Sequence, residues 1–564
     1  MGVASAKEII LILGIAAFPF SGSVSAQPKV LHSGITIRQL AIVGHNTVRV
    51  RRDPVTGYLY VLQNDGIIQR VNFNSDSSSA SLTTVYRTSD HGLNAPLGMT
   101  FGEDGTLYLV GNDSTSVLGT ATVVKGVPDT LGKESRTWSV IATTVPYAYG
   151  NIYNHRMSGI ILNPTGDSLY VNSGAGTDHG EIENGYREVG LTSIILKLPV
   201  NGSNIVLQDD RNWLRSNQYL FCEGIRNEFD FAYDGYGDLI GVENSGDRDD
   251  PEEINWLREG HHYGFPWRIS TDVTPQQFTP YDPHTDPLLN PLAWGGGDLY
   301  KTFSNDTTYP QAPDSVTFTY PIPSFGPDAD RFRDTTNGNV EDASDLGTTI
   351  SSLTPHRSPD GIAFDRDSLL YGDLKGGGFV ISVATSALIT ALGDTSQDLL
   401  LVNLAKDTGS YIAHVHRLIS GFNSPLGEEL VGNKLYIAET GLEQPNSAPK
   451  LWEVDLPTSE ATGVRQVDET PSGFELMQNF PNPFNPSTTI SFSLAWKEDV
   501  RLDIYNVLGQ CVRTLVDGEI AGGTHAFVWD GRNTGGMTVG SGIYFCRLQA
   551  GKDFSSIRKL ILLK

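Results

Sequence analysis

His155 follows Asn154 and stands shortly before the pair Ser158-Gly159. An imidazole, with an ordinary pKa near neutrality, is the side chain best suited to take a proton from a hydroxyl. Asn154 is placed to orient that ring. The plainer reading is a satisfied structural histidine at the start of a strand. Arg226, followed by Asn227, and Lys375 are cations able to face carboxylates. Equally, Arg226 could bridge neighbouring elements and Lys375, beside Gly376, Gly377 and Gly378, could be a solvated turn. Asp247, Asp249, Asp250, Glu252 and Glu253 crowd one loop. Calcium prefers such hard oxygen ligands, although solvation alone also accounts for an acidic loop.

Those residues must be positioned by strands, because sustained helical periodicity is absent. A turn rich in Asp, Asn and Gly, followed by an alternating apolar strand, recurs six times. The copies are at 53–61, 103–110, 163–171, 234–242, 365–371 and 432–438. The turn residues tolerate positive φ, and the period-two pattern gives a strand with one buried face. Such hairpins cannot bury their faces singly, so the expectation is an all-β fold, a six-bladed β-propeller over residues 27–456 with four strands to a blade. The alternative is a set of hairpins in a β-sandwich. A stretch from Ile269 to Thr354, rich in Pro, Asp, Thr and Gly, reads as a large insertion over one face.

Residues 1–26 carry Lys7, an apolar stretch from Ile9 to Phe20 and small residues ending at Ala26, the layout of a cleavable signal peptide. That stretch is too short to span a ~30 Å hydrocarbon layer as a helix, and no transmembrane segment is expected elsewhere. Residues 457–472 read as a polar linker. Residues 473–564 alternate and turn like one small immunoglobulin-like β-sandwich.

The net charge is −25. From Gly473 onward basic and acidic residues nearly cancel, so the acidity belongs to the region before it. A surface so negative repels phosphate backbones and excludes nucleic acid as a partner, while it suits neutral sugars and divalent cations. Three cysteines, Cys222, Cys511 and Cys546, make no disulfide scaffold. Cys511 and Cys546 either pair or are separately buried thiols.

Asn479-Phe-Pro-Asn-Pro-Phe-Asn-Pro486, Ile504-Tyr-Asn-Val-Leu-Gly509, Gly523 to Gly531, Ser541-Gly-Ile-Tyr544 and Lys559 to Lys564 resemble the type A sorting domain of type IX secretion. The resemblance implies recognition by the type IX machinery and a protein that is secreted, or held at the cell surface, by way of the periplasm.

The larger region resembles the glucose/sorbosone dehydrogenases. The residues that carry this are Gly92 to Met99, Asn154-His155 before Ser158-Gly159, Gly224-Ile-Arg226-Asn227 with Glu243, Glu252 to Asn255 and His262 to Trp267, and Asp373-Leu-Lys375-Gly376. The family implies a sugar substrate, pyrroloquinoline quinone (PQQ) and calcium at one end of six blades. It implies His155 as the base, Arg226, Asn227 and Lys375 around the cofactor, and the carbonyls of Ser245 and Gly246 on calcium. The family's arginine pair before the last blade is missing, the stretch reading Phe422 to Gly427.

A PQQ-dependent aldose or sorbosone-type dehydrogenase is therefore expected. A non-catalytic propeller binding glycan or protein is one alternative. Another is a lactonase-like hydrolase, in which Glu243, Asn244 and Asn227 would converge on a calcium that polarises a lactone carbonyl.

Overall fold

The computed structural model describes residues 27–459, except 115–116, 150–154, 290–301, 385–386, 408 and 442–446, and residues 474–563, except 478, 480–481, 483, 485 and 553. The signal segment 1–26, Asn154 and most of the linker lie outside the described residues. The chain divides into two compact units, 1–461 and 462–564.

In the first unit, six sheets each begin with a strand that faces its counterparts. These strands are β1 (Thr47–Arg52), β2 (Ala95–Phe101), β3 (Met157–Leu162), β4 (Glu228–Tyr233), β5 (Pro359–Phe364) and β6 (Pro425–Val431). Each touches the next, and β6 touches β1, so the six close a ring. Further strands run outward from each, antiparallel to their neighbours except for Ile205–Leu207 and Ser324–Pro327, which add in parallel. The sheet that begins with β6 is completed by Thr36–Ile42, a strand that precedes β1 in sequence, so the last sheet is tied to the first, while Lys29–Val30 pairs with the fifth sheet.

The hairpin turns explain why the recurring Asp and Gly residues are where they are. Asp234 Oδ1 accepts the backbone N–H groups of Tyr236 and Asp238, each at 2.9 Å, while Gly237 takes φ 83°. An aspartate closing its own turn and a glycine in the left-handed region make the reversal that follows β4.

All six inner strands carry a register shift at the same place, one or two residues after the strand begins. A bulge there rotates the local backbone and re-aims side chains at the end of the ring. Close packing of the inner strands requires missing side chains. A Cβ on Gly98 would fall 2.0 Å from the Ser158 carbonyl oxygen, and one on Gly427 would fall 2.8 Å from Arg49 Cα.

The ring's middle is filled by polar ties. Arg49 lies 4.1 Å over the Phe229 ring and donates Nη2 to the Phe229 carbonyl at 2.6 Å, joining β1 to β4 across the axis. Arg51 reaches Asp230 at 2.7 Å beside it. Apolar faces between successive sheets form the core, as where Met99, Leu109 and Val124 meet Tyr60 and Leu62. Burying such faces between layers is what makes the sheets hold one another.

The strand count per sheet departs from four. The fourth sheet has three strands, while those beginning with β2 and β5 have six. Segments of the 269–354 insertion cover the short sheet's edge: Ile322 donates its N–H to Ile254, and Leu353 exchanges backbone bonds with Glu252. Ser324–Pro327 then pairs with Ser410–Ser420 of the fifth sheet. The insertion thus covers outer sheet edges, which would otherwise be open.

The second unit has a three-stranded and a four-stranded sheet. Phe492, Leu502, Ile504, Trp529, Leu548 and Leu560 share one buried core there. Cys511 is exposed and Cys546 buried, and all three cysteines are free thiols, so neither expected arrangement of that pair holds. Among the described residues no helix is long and apolar enough to cross a membrane.

Candidate functional site

Arg226 and Asn227 immediately precede β4, and both are buried. Arg226 donates Nε to the Asp178 carbonyl at 2.8 Å, Nη2 to Asp178 Oδ1 at 2.6 Å and Nη1 to the Asn244 carbonyl at 3.0 Å. Asp178 gathers the site. Its carboxylate also accepts the N–H of Asp247 at 3.2 Å and faces Nδ1 of His179 at 3.1 Å. Burial works to raise the proton affinity of Asp178, but Arg226 and these hydrogen bonds overcome it and hold the carboxyl well below the usual range.

His155 is buried and packs on Gly174, where a Cβ would come 2.5 Å from its own. Burial, and then the positive field of Arg226, push its imidazole well below the ordinary value, with Asp178 opposing only in part. The ring is therefore neutral at physiological pH and able to accept a proton. Separated by 71 positions in sequence, His155 and Arg226 are thus within electrostatic reach of each other and of Asp178.

Beside this group runs a chain of amides and one carboxylate. Asn172 Nδ2 donates to Ser158 Oγ at 3.0 Å and approaches Asn227 Oδ1 at 3.5 Å. Asn244 donates its N–H to the Asn227 carbonyl at 3.2 Å and its Nδ2 to Asp360 Oδ1 at 3.1 Å. Asn172 Oδ1, Asn244 Oδ1 and Asp360 Oδ2 are buried oxygens with no hydrogen-bond partner among the described residues. Burial pushes the Asp360 carboxyl up to about 8. Buried oxygens without donors are costly alone, and amide and carboxylate oxygens are the atom types a hard cation takes. Among the described residues, however, no group of three or more His, Cys, Asp or Glu side chains is placed to hold a metal ion.

A second layer lies behind. Asn255 Nδ2 donates to Glu228 at 3.0 Å, Glu243 at 3.0 Å and Glu253 at 2.9 Å. Burial raises all three carboxyls, Glu253 to about 7 and the other two well above their ordinary value. Glu243 also accepts the backbone N–H of Arg226 and so fixes the start of β4.

Of the residues expected at the site, His155, Arg226 and Asn227 are at this end of the ring. Lys375 is not. It follows β5 and lies in the turn to Gly378–Ser382, whereas Asp360, at the start of β5, is the part that reaches Asn244. The turn holding Lys375 sits by the outward hairpin of β4, where Gly235 meets Arg366. Lys375 is exposed there, with the length of β5 between it and Asn244. A short solvated turn, and not a cofactor clamp, is what its flanking glycines form.

Ser245 and Gly246 are at the correct end. The Ser245 N–H donates to Glu252 Oε2 at 2.5 Å and a Cβ on Gly246 would lie 3.2 Å from Asp178 Oδ1. The oxygens without donors, however, are side-chain atoms from three sheets. The acidic loop is mostly spent on ion pairs: Asp249 with Arg333 at 2.6 Å and His356 at 2.7 Å, Asp250 with Arg248 at 2.6 Å. Asp178, Asn172 and Asp360 were not singled out from sequence. The available signal was position, since Ser158, Asn227 and Asp360 all stand at bulged inner-strand starts.

The glucose/sorbosone dehydrogenase family profile matches residues 53–294, and the FlgD Ig-like domain profile matches residues 483–553. Residues 53–294 are thus similar to that dehydrogenase family over a region that includes His155, Arg226 and Asn227. No curated protein sequence matches the chain. Among solved structures, the holo PQQ domain of pyranose dehydrogenase from Coprinopsis cinerea is similar at 12% identity and a TM-score of 0.48, over 76% of this chain and 97% of that one. The PQQ-bound aldose sugar dehydrogenase from Streptomyces coelicolor has 15% identity and a TM-score of 0.41, over 75% and 99%. The apo aldose sugar dehydrogenase from Escherichia coli has 12% identity and a TM-score of 0.45, over 75% and 99%.

Proposed function

We propose that residues 27–456 form a six-bladed propeller that acts on a sugar hydroxyl as a dehydrogenase, exported through the type IX route by residues 473–564. The observation that carries the catalytic reading is the buried, neutral His155 beside the Arg226–Asp178 pair, inside the region similar to sugar dehydrogenases. His155 takes the hydroxyl proton. Arg226 keeps the imidazole unprotonated beforehand, and Asp178 holds Arg226 in place.

Calcium, which the family resemblance implies, is assigned to the amide and carboxylate network, whose only carboxylate is Asp360. Asn172, Asn244 and Asp360 would hold it, and their oxygens without donors support the assignment. When bound it supplies Lewis-acid polarisation of a substrate or cofactor oxygen. PQQ does not fit the residues expected to clamp it. The charge of Arg226 is already matched by Asp178, Lys375 is at the other strand end, and the arginine pair is missing. The hydride that leaves the carbinol carbon requires a two-electron acceptor, and the quinone is the one that the family resemblance implies.

A second reading is favoured by the same oxygens: a calcium-dependent hydrolase, in which the cation polarises a lactone carbonyl. One experiment separates the two. The purified protein is loaded with calcium, then offered PQQ with an aldose panel and a reducible dye, and separately a sugar lactone in a pH-stat. The dehydrogenase predicts dye reduction that requires an aldose, and the same assay with and without PQQ tells whether the quinone is the acceptor. Acid release from the lactone without dye reduction would establish the hydrolase instead. Inactivity in both assays would leave a propeller that binds without turning over.

A further inference from the structure

On the far side of Asp178 lies a cavity of about 370 Å³, lined by His179, Glu181, Gln276, Ser304, Asn305 and Thr307 among others. Its size falls at the lower end of the ~300–1,000 Å³ of small-molecule sites, room for about one sugar ring. Two of its wall residues are built as recognition groups. His179, only 1% exposed, is held on three sides: Nδ1 faces Asp178 at 3.1 Å and Glu181 at 3.3 Å, and Phe303 stacks on its ring at 3.8 Å between centroids. Its Nε2 has no hydrogen-bond partner among the described residues. Gln276, also 1% exposed, stands in the short turn Pro275–Gln277, and both atoms of its amide have no partner there. The neighbouring Gln277 amide, by contrast, is bound to the Trp267 and Thr274 carbonyls.

A buried imidazole fixed by two carboxylates and a buried amide left unpaired are costly unless a ligand completes them. Glu181 faces His179 and Asp306 pairs with Arg187, while Glu183 adds a further carboxylate to the wall. Among the described residues no cation in the wall is left over for an anion. What remains is a mixed set of donors and acceptors, namely Nε2 of His179, the Gln276 amide, Nδ2 of Asn305, whose Oδ1 already accepts the Tyr281 N–H, and the hydroxyls of Ser304 and Thr307. A hydroxyl both donates and accepts at one atom, so a ring bearing several hydroxyls satisfies such a set, whereas a carboxylate or an ammonium satisfies half of it.

We propose that this cavity is a binding site for a neutral polyhydroxylated molecule of monosaccharide size, read by His179 Nε2 and the Gln276 amide. It is separate from the His155 site and does not rest on the catalytic reading. The burial of His179 works against its protonation, but Glu181 and Asp178 outweigh it and raise its proton affinity, which favours the form in which both ring nitrogens donate.

The test uses the full chain without PQQ. D-Glucose, D-xylose and D-mannitol are titrated by saturation-transfer NMR and calorimetry, with calcium chloride and sodium phosphate as competing probes. At least one polyol is expected to bind in this cavity, in addition to any aldose taken by the His155 site. Gln276→Leu and Thr307→Trp, the second at an exposed rim position, should each weaken that binding 10-fold or more. Failure of all three polyols to bind overturns the proposal. So does binding that survives both wall variants but is lost in His155→Ala, which would place the sugar at the other site. Displacement of a bound polyol by phosphate or calcium at equal concentration would overturn the neutral-ligand assignment.

Discussion

His155, Arg226 and Asp178 illustrate how a charge pair tunes a neighbour that neither group touches in sequence. His155→Ala should lower kcat at least 100-fold in whichever turnover assay the protein supports, the usual loss on removing a general base. Because burial and Arg226 both depress the His155 pKa, the acid limb of kcat/KM should fall well below pH 6.5. Asp178→Asn would leave a buried guanidinium without its counter-charge, and should cost about 3–5 kcal/mol in urea unfolding. Retention of wild-type stability in that variant would show that Arg226 finds another partner.

Glu253 makes a pH prediction of opposite sign. Its folded-state carboxyl is raised to about 7, chiefly by burial, so between its unfolded value near 4.5 and pH 7 the folded state binds the extra proton. Its contribution to stability is therefore present below pH 4.5 and is lost as pH rises toward 7. Glu253→Gln, which cannot ionise, should flatten that decline. The check is the urea midpoint measured from pH 5 to pH 8 for both proteins.

At the scale of elements, the repeated bulge explains how six similar strands present different chemistry at one end of the ring. Each inner strand breaks register where it begins, and the residue released there is Ser158 or Asp360 in two sheets and an apolar side chain in others. The turns at the opposite strand ends carry the recurring Asp and Gly that were easiest to read. Lys375 belongs to that set, which is why its motif pointed to the wrong end. The inner strands also have no room. Gly427→Ala places a methyl 2.8 Å from Arg49 Cα, a backbone neighbour that cannot step aside. Overpacking of this kind should cost about 1–3 kcal/mol, read as a lower urea midpoint with an unchanged m-value.

For the whole molecule, the two units have separate hydrophobic cores, so removing one need not unfold the other. Deleting residues 473–564 should leave a folded first unit with its near-UV circular dichroism intact. Under the export proposal the shortened chain should also accumulate in the periplasm of a host with type IX secretion, and undiminished secretion would remove that assignment.

The sequence by itself determined the strand-rich class, the turn-and-strand copies and the Ig-like final module, and it singled out His155, Arg226 and Asn227, which the fold brings to one end of the ring. Those features are local: a turn needs its Asp and Gly within five positions, and a strand shows its buried face at every second residue. The tertiary structure alone decided what lies at which end of the strands. Asp178 is unremarkable in sequence and becomes the hub because 48 positions later Arg226 must find a counter-charge in a buried place. Asn172, Asn244 and Asp360 form one network only because three sheets stand side by side in a ring. The unpaired Gln276 amide was likewise invisible, since whether a polar group is satisfied depends on every neighbour the fold brings to it and not on the residues beside it in the chain.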